Sequence, residues 1–212
     1  MTGTDRQQNL VTAGAPLRAA DAAVVLLHSR GETARNVVQW ADEFHHHSVA
    51  QLAPQAPDNS WYPNAFTAPI EANEPQLAAN LAAVRAAVDT ALDVGIPRGR
   101  VMLCGFSQGA CLAAEFVARN PARYGGLAVL SGGLLGETVS TDEYEGTLDG
   151  MPVFLGCGTA DQFVPVERVH KSAAMFDALN ADVATRIVEG RGHGIDQDEA
   201  DRVSAMVAGL VQ

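Results

Sequence analysis

The sequence predicts an α/β fold in a single domain spanning residues 1–212, with a mostly parallel central sheet and helices on both faces. Three observations carry this expectation. Apolar runs of strand length alternate along the chain with stretches of helical period. One such run, Val101-Met102-Leu103-Cys104, passes through Gly105-Phe106-Ser107-Gln108-Gly109 into a helix-like stretch. No linker, low-complexity tract or internal repeat interrupts the pattern, and 212 residues suffice for a substantial core.

The elements follow in order. Residues 1–20 form a polar N-terminal segment, read as a hairpin or an edge strand. Ala23–Leu27 is wholly apolar, as a strand buried on both faces requires. Thr33–Phe44 reads as a helix with Thr33 as its cap. Ser48–Ala53 suggests a short strand. Residues 76–92 give the clearest helix: Leu77, Leu81, Val84, Val88 and Leu92 recur at spacings of three and four. Asn73 is its expected cap, with Gln76 in capping-box register.

Ala110–Arg119 is a helix whose Ala110, Ala113 and Ala114 keep one face thin for packing on a sheet, and Pro121 stops it. Val101–Cys104, Leu127–Leu130, Met151–Leu155 and Val183–Val188 are further strands. Arg168–Leu179 and Asp198–Leu210 are helices, the latter acidic in its first turn as the helix dipole favours. Gly132–Gly150 has weak periodicity and reads as an excursion over the active-site face, either a short lid or a mobile surface loop.

Composition narrows the function classes. The formal charge of −11 disfavours phosphate backbones and anionic membrane surfaces as partners, so no nucleic acid is expected. No apolar run reaches the length of a membrane span. The N-terminus lacks a signal peptide's order of basic then apolar residues, so a cytoplasmic location is expected. Lys171 is the only lysine, which with the abundant alanine suggests a GC-rich genome. Cys104, Cys111 and Cys157 are scattered in apolar segments and read as small buried hydrophobes, neither zinc ligands nor a disulfide framework. His45-His46-His47 sits at a helix end, where adjacent side chains diverge. A solvated terminus is expected there, and no metal or cofactor is expected anywhere.

The G-x-S-x-G run in a strand–turn–helix context is the nucleophile elbow of an α/β-hydrolase, with Ser107 as nucleophile. Gly105 and Gly109 are needed because strand and helix approach without room for a Cβ. A serine hydroxyl requires a base, and the base an orienting acid. In this architecture they follow in the order Ser, acid, His. Asp161 lies in a glycine-rich loop just past the Met151–Leu155 strand. His193 lies in Gly190-Arg191-Gly192-His193-Gly194, past the next strand. Asp196 and Asp198 are better placed as residues of the last helix's N-terminus. The oxyanion hole should take one backbone N–H from Gln108 and one from the loop His28-Ser29-Arg30-Gly31, with Arg30 as the candidate. His28 precedes the nucleophile and is read as a histidine that shapes this loop.

With these residues the chain resembles the phospholipase/carboxylesterase family of small α/β-hydrolases, which includes the acyl-protein thioesterases. The resemblance rests on Leu26–Gly31, on Ala53-Pro54-Gln55-Ala56-Pro57 through Trp61-Tyr62-Pro63, and on Glu71–Pro75. It continues through Gly105–Ala110, Phe154–Asp161 and Gly192-His193, covering the chain from about residue 20 to its end. It implies Ser107, Asp161 and His193 as triad and the Arg30 and Gln108 backbones as oxyanion donors. It also implies an acyl or alcohol pocket near His28 and Trp61, with Phe163 and Val164 altering its lining. The chain departs from the family at Ser29, where glycine is usual, so a differently shaped oxyanion loop is expected. It departs again at Asp161-Gln162-Phe163-Val164-Pro165.

The leading expectation is a carboxylesterase preferring short- to medium-chain acyl groups on a small-molecule ester, acting as a monomer or homodimer. Alternatives are a lysophospholipase, an acyl-protein thioesterase, or a catalytically impaired binding module. A dienelactone-hydrolase-like activity would want a cysteine where Ser107 stands.

Overall fold

The computed structural model describes residues 10–44, 46–141 and 144–212. Among them seven strands form one sheet: β1 (Leu10–Gly14), β2 (Ala22–Leu27), β3 (Val49–Pro54), β4 (Val101–Phe106), β5 (Gly126–Leu130), β6 (Pro152–Gly158) and β7 (Asp182–Val188). Their spatial order is β1-β3-β2-β4-β5-β6-β7. β1 pairs antiparallel with β3 and every other pair is parallel. The N-terminal segment thus supplies an edge strand. Residues 1–9 lie outside the described residues.

Five α-helices cover the sheet: α1 (Ala34–Trp40), α2 (Gln76–Asp93), α3 (Gln108–Arg119), α4 (Val166–Ala178) and α5 (Gln197–Gly209). Alternation along β2 shows how they divide. Ala23, Val25 and Leu27 join the core that contains residues of α2, α3 and α4. Ala22, Val24 and Leu26 join the core that contains residues of α1 and α5. All six β2 residues are buried, and each buried Val or Leu contributes about 1.5–3 kcal/mol.

Local chemistry explains the element ends. Thr33 caps α1, its hydroxyl accepting from Asn36 N–H at 3.2 Å. The helix expected as far as Phe44 is α-helical only to Trp40 and continues as a 3₁₀ turn over Ala41–Phe44. The expected cap of α2 is corrected. Pro75 occupies the cap position, and Ala78 N–H is taken by Glu74 at 2.9 Å. Asn73 is buried and turns the other way, accepting from Asn64 N–H at 2.8 Å and donating to Ala65 O at 3.2 Å. Asp196 caps α5 in a full capping box with Glu199.

In its described residues, the 132–150 segment packs on α3 and α4. Among its described residues, Leu135 N–H and the Tyr144 hydroxyl donate to Glu115 of α3, which is fully buried. Arg168 of α4 donates to Leu134 O and Gly136 O, each at 2.8 Å. Two buried charged side chains therefore fasten the segment to the helices. Of the two readings of this segment, a lid or a mobile surface loop, the lid finds no support: no described residue of 132–150 lines the Ser107 cavity.

Candidate active site

Ser107 sits between β4 and α3 with φ 56° and ψ −120°. A non-glycine residue held there costs about 1–3 kcal/mol and persists only when its surroundings impose it. The surroundings are close backbone. A Cβ on Gly109 would lie 2.2 Å from Leu27 O, and one on Gly105 would lie 2.5 Å from the backbone of Gly109. Ser107 N–H is fixed to Leu130 O at 2.9 Å. The hydroxyl-bearing residue is thus set where β2, β4 and β5 end together, at the N-terminus of α3.

Past β6 and β7 the other two residues meet. His193 Nδ1 lies 2.8 Å from Asp161 Oδ2. The carboxylate's other oxygen accepts from Phe163 N–H at 2.9 Å and Val164 N–H at 3.0 Å. Burial pushes the Asp161 carboxyl up, but the hydrogen bonds from His193, Phe163 and Val164 outweigh it and hold the group below its ordinary value. An ionised Asp161 requires Nδ1 to carry the proton, which leaves Nε2 as the basic nitrogen. The imidazole is flanked by Phe106 and Phe163, with ring centroids at 4.9 and 5.0 Å.

The loop carrying His193 is clasped at both ends. Arg191 pairs with the fully buried Glu199 of α5. Gly194 O accepts from the Ser131 hydroxyl at 3.1 Å. Gly158 permits the crossing of the two loops, since a Cβ there would lie 2.0 Å from Arg191 O.

Arg30 and Gln108 lie beside Ser107 in one cavity of about 480 Å³. Among the described residues neither backbone N–H donates to a protein acceptor. The Gln108 N–H belongs to the first turn of α3, where such groups point outward and the dipole favours negative charge. Ser29 does not strain this loop: the positive φ falls on Gly31, at 82°.

His28 is buried and has both ring nitrogens engaged, Nδ1 with Ser29 O at 2.8 Å and Nε2 with Ala56 N–H at 3.1 Å. Only the neutral Nδ1–H tautomer satisfies both. Burial likewise holds its pKa below the ordinary value, against the opposing pull of the Ser29 bond.

Phe163 and Val164 line the Ser107 cavity together with Tyr62, Phe66 and Cys111, which form an apolar wall. Trp61 does not line it, which corrects that expectation. Its ring is fully buried, its centroid 4.6 Å from that of His28 with the planes tilted by 33°, and its indole N–H donates to His28 O at 2.7 Å. A second hollow of about 590 Å³ opens on the other side of His193, lined by His28, Asn36, Trp40 and the carboxylates of Glu32 and Glu43. Tyr62 falls among the neighbours of Trp61 that the resemblance placed near the pocket, whereas Phe66 and Phe106 were not singled out by sequence as lining residues. Phe106, inside the G-x-S-x-G run, carried the clearest signal.

The remaining candidates fall outside this cluster. His46 and His47 stack on each other at 4.6 Å, and His45 lies outside the described residues. Among the described residues no group of three or more His, Cys, Asp or Glu side chains converges as a metal site. All three cysteines are free and buried. Burial, then the nearby Asp161 carboxylate, push the Cys157 thiol up to about 12. No described helix is long and apolar enough to cross a membrane.

Comparison with known proteins follows this geometry. A crystal structure of a phospholipase/carboxylesterase from Dyadobacter fermentans is 38% identical, with a TM-score of 0.89 over 94% of this chain and 96% of that one. An acyl-protein thioesterase 1 of Gibberella zeae is 33% identical over 118 residues, 55% of this chain and 50% of that protein. Another, from Yarrowia lipolytica, is 26% identical over 167 residues, 70% of this chain and 74% of that protein. The alignment thus spans about half the length of the first of these two thioesterases. The phospholipase/carboxylesterase family model matches residues 10–210, and the chain belongs to that family.

Proposed function

We propose that the protein is a serine hydrolase of small carboxylic esters with short- to medium-chain acyl groups. The observation that carries this reading is the Asp161–His193 bond at 2.8 Å, which leaves Nε2 basic in the cavity that also holds Ser107. Nε2 takes the Ser107 proton as Oγ attacks the acyl carbon. The carbonyl oxygen becomes an oxyanion that accepts from the Arg30 and Gln108 backbone N–H groups. Asp161 stabilises the imidazolium, which returns its proton to the departing alcohol. Water then enters, His193 activates it, and the acyl-enzyme is hydrolysed.

The wall of the cavity supports the size preference. Buried Tyr62 and Cys111 line it with Phe66, Phe163 and Val164, and this apolar lining favours an alkyl acyl group. The similarity to proteins named acyl-protein thioesterase supports a second reading, with a longer acyl chain carried on a thioester.

The test is hydrolysis of p-nitrophenyl esters from acetate to palmitate by wild type and Ser107→Ala. Serine-dependent activity peaking at butyrate to octanoate is expected, with kcat at least ~10³-fold lower in the variant. A peak at palmitate replaces the size preference with the second reading. Retention of most hydrolysis by Ser107→Ala overturns the nucleophile assignment.

A further inference from the structure

Arg30 stands on the loop after β2 and Gln108 on the first turn of α3, so the shape of the proposed oxyanion hole depends on how that loop and that helix end are held together. Their side chains converge on one atom. Tyr62 O accepts from Arg30 Nη2 at 2.9 Å and from Gln108 Nε2 at 2.8 Å. The same guanidinium donates to Pro63 O at 3.0 Å and to Asn64 O at 2.8 Å. The same carboxamide accepts from Trp61 N–H at 3.0 Å.

The segment they grip is itself fixed. Trp61 O accepts from Asn80 at 2.7 Å, Ser60 O from Gln76 at 2.8 Å, and Asn64 N–H donates to Asn73 at 2.8 Å. All three partners lie on or just before α2. The segment is therefore anchored to a helix that carries no part of the triad. We infer that Ser60–Asn64 is a strut that sets the spacing of the two oxyanion donors, and that the Arg30 and Gln108 side chains are positioning groups acting through the Tyr62 carbonyl. The inference rests on the esterase reading above.

The chemistry suits the task. Each hydrogen bond from a guanidinium is charge-assisted, and its planar fork addresses several carbonyls in one fixed geometry. A lysine at position 30 keeps the charge but offers a single point donor. The arrangement also accounts for an arginine whose side chain hydrogen-bonds main-chain carbonyls and lies 5.9 Å over the Tyr62 ring, with no carboxylate partner among the described residues. A donor displaced by a fraction of an ångström weakens the bond to the oxyanion more than the bond to the ground-state carbonyl, so the loss should fall on kcat.

The experiment measures kcat and KM on p-nitrophenyl butyrate for wild type, Arg30→Met, Arg30→Lys, Gln108→Leu and the Arg30→Met/Gln108→Leu double variant, beside Ser107→Ala. Affinity for a trifluoromethyl ketone, which forms a tetrahedral adduct on the serine, is read in parallel. The expected result is a fall in kcat of about 10–100-fold for Arg30→Met and Gln108→Leu, with KM within about twofold. Ketone affinity falls by a similar factor, the double variant loses less than the product of the singles, and Arg30→Lys recovers only part of the loss. Should Arg30→Met fail to fold, Arg30→Lys and Gln108→Leu carry the test. Unchanged kcat in the folded variants, or a loss confined to KM, overturns the strut while leaving the serine esterase standing. Hydrolysis that persists in Ser107→Ala overturns both.

Discussion

Ser107 and His193 line one cavity but stand on different supports. The nucleophile half is held by backbone packed on backbone, where Gly105 and Gly109 bring α3 against the ends of β2 and β4 with no space for a side chain. The acid–base half is held by side chains. Asp161 grips His193 and two backbone N–H groups, while Glu199 grips Arg191, two residues before the histidine. The difference teaches where each half is vulnerable. The first tolerates almost no change of volume. The second tolerates added volume at Gly192, though not at Gly158 where its two loops cross, and fails when a charge is removed.

The largest expected effect falls on the acid–base half. Asp161→Asn keeps the shape but no longer selects the productive imidazole tautomer, so kcat should fall about 10³–10⁴-fold, as in other triads. Steady-state kinetics on p-nitrophenyl butyrate checks this, and a loss under tenfold would remove Asp161 from its role.

Volume sharpens the contrast. Gly109→Ala places a Cβ 2.2 Å from Leu27 O. It should destabilise by about 1–3 kcal/mol or more, or prevent folding. Gly192→Ala, with no atom nearer than 4.0 Å, should stay within about 0.5 kcal/mol. Urea unfolding of the pair decides the matter, and equal costs would erase the distinction between the halves.

Charge removal gives the next effect. Glu199→Gln leaves Arg191 with only Asp196, at 3.6 Å, as counter-charge. A cost of about 2–3 kcal/mol is expected, below the usual range for fully buried pairs because the Arg191 side chain is 15% exposed. Thermal and urea midpoints measure it, together with a fall in kcat as the His193 loop loosens.

The smallest effect concerns pH. Burial holds His28 below its ordinary value, so the folded chain binds fewer protons than the unfolded chain as pH drops under about 6.5. The stability that depends on neutral His28 is complete above that pH and declines as pH falls towards the folded-state value. Melting temperature followed from pH 8 to pH 5 should slope downward, and His28→Gln should flatten the slope. An identical slope in both proteins would locate the effect elsewhere.

Sequence made the nucleophile half legible because its constraint is local. Tiny residues at fixed offsets around a serine have one structural explanation, and the bracketing strand and helix lie in the same twenty residues. Asp161 and His193 were legible through chain order and flanking glycines. Trp61 was misplaced because its neighbours in sequence are loop residues, whereas its burial comes from His28 and α2, far along the chain. Asn73 has the residue type of a cap, but Pro75 follows it and its amide is drawn to Asn64. The grip of Arg30 on the 62–64 carbonyls had no sequence signal at all, since a charged loop residue is ordinarily solvated.

Cys111 shares the cavity with Ser107, yet burial pushes its thiol up to about 11, and Cys104 and Cys157 are pushed up to about 12. Thiolate, not thiol, is the reactive form of sulfur. An electrophile entering this protein at neutral pH should therefore meet three thiols that stay protonated and, on the proposed mechanism, one activated oxygen. Covalent probes that elsewhere divide between cysteine and serine should mark a single residue here, which makes the intact mass of the labelled chain a direct count of working sites.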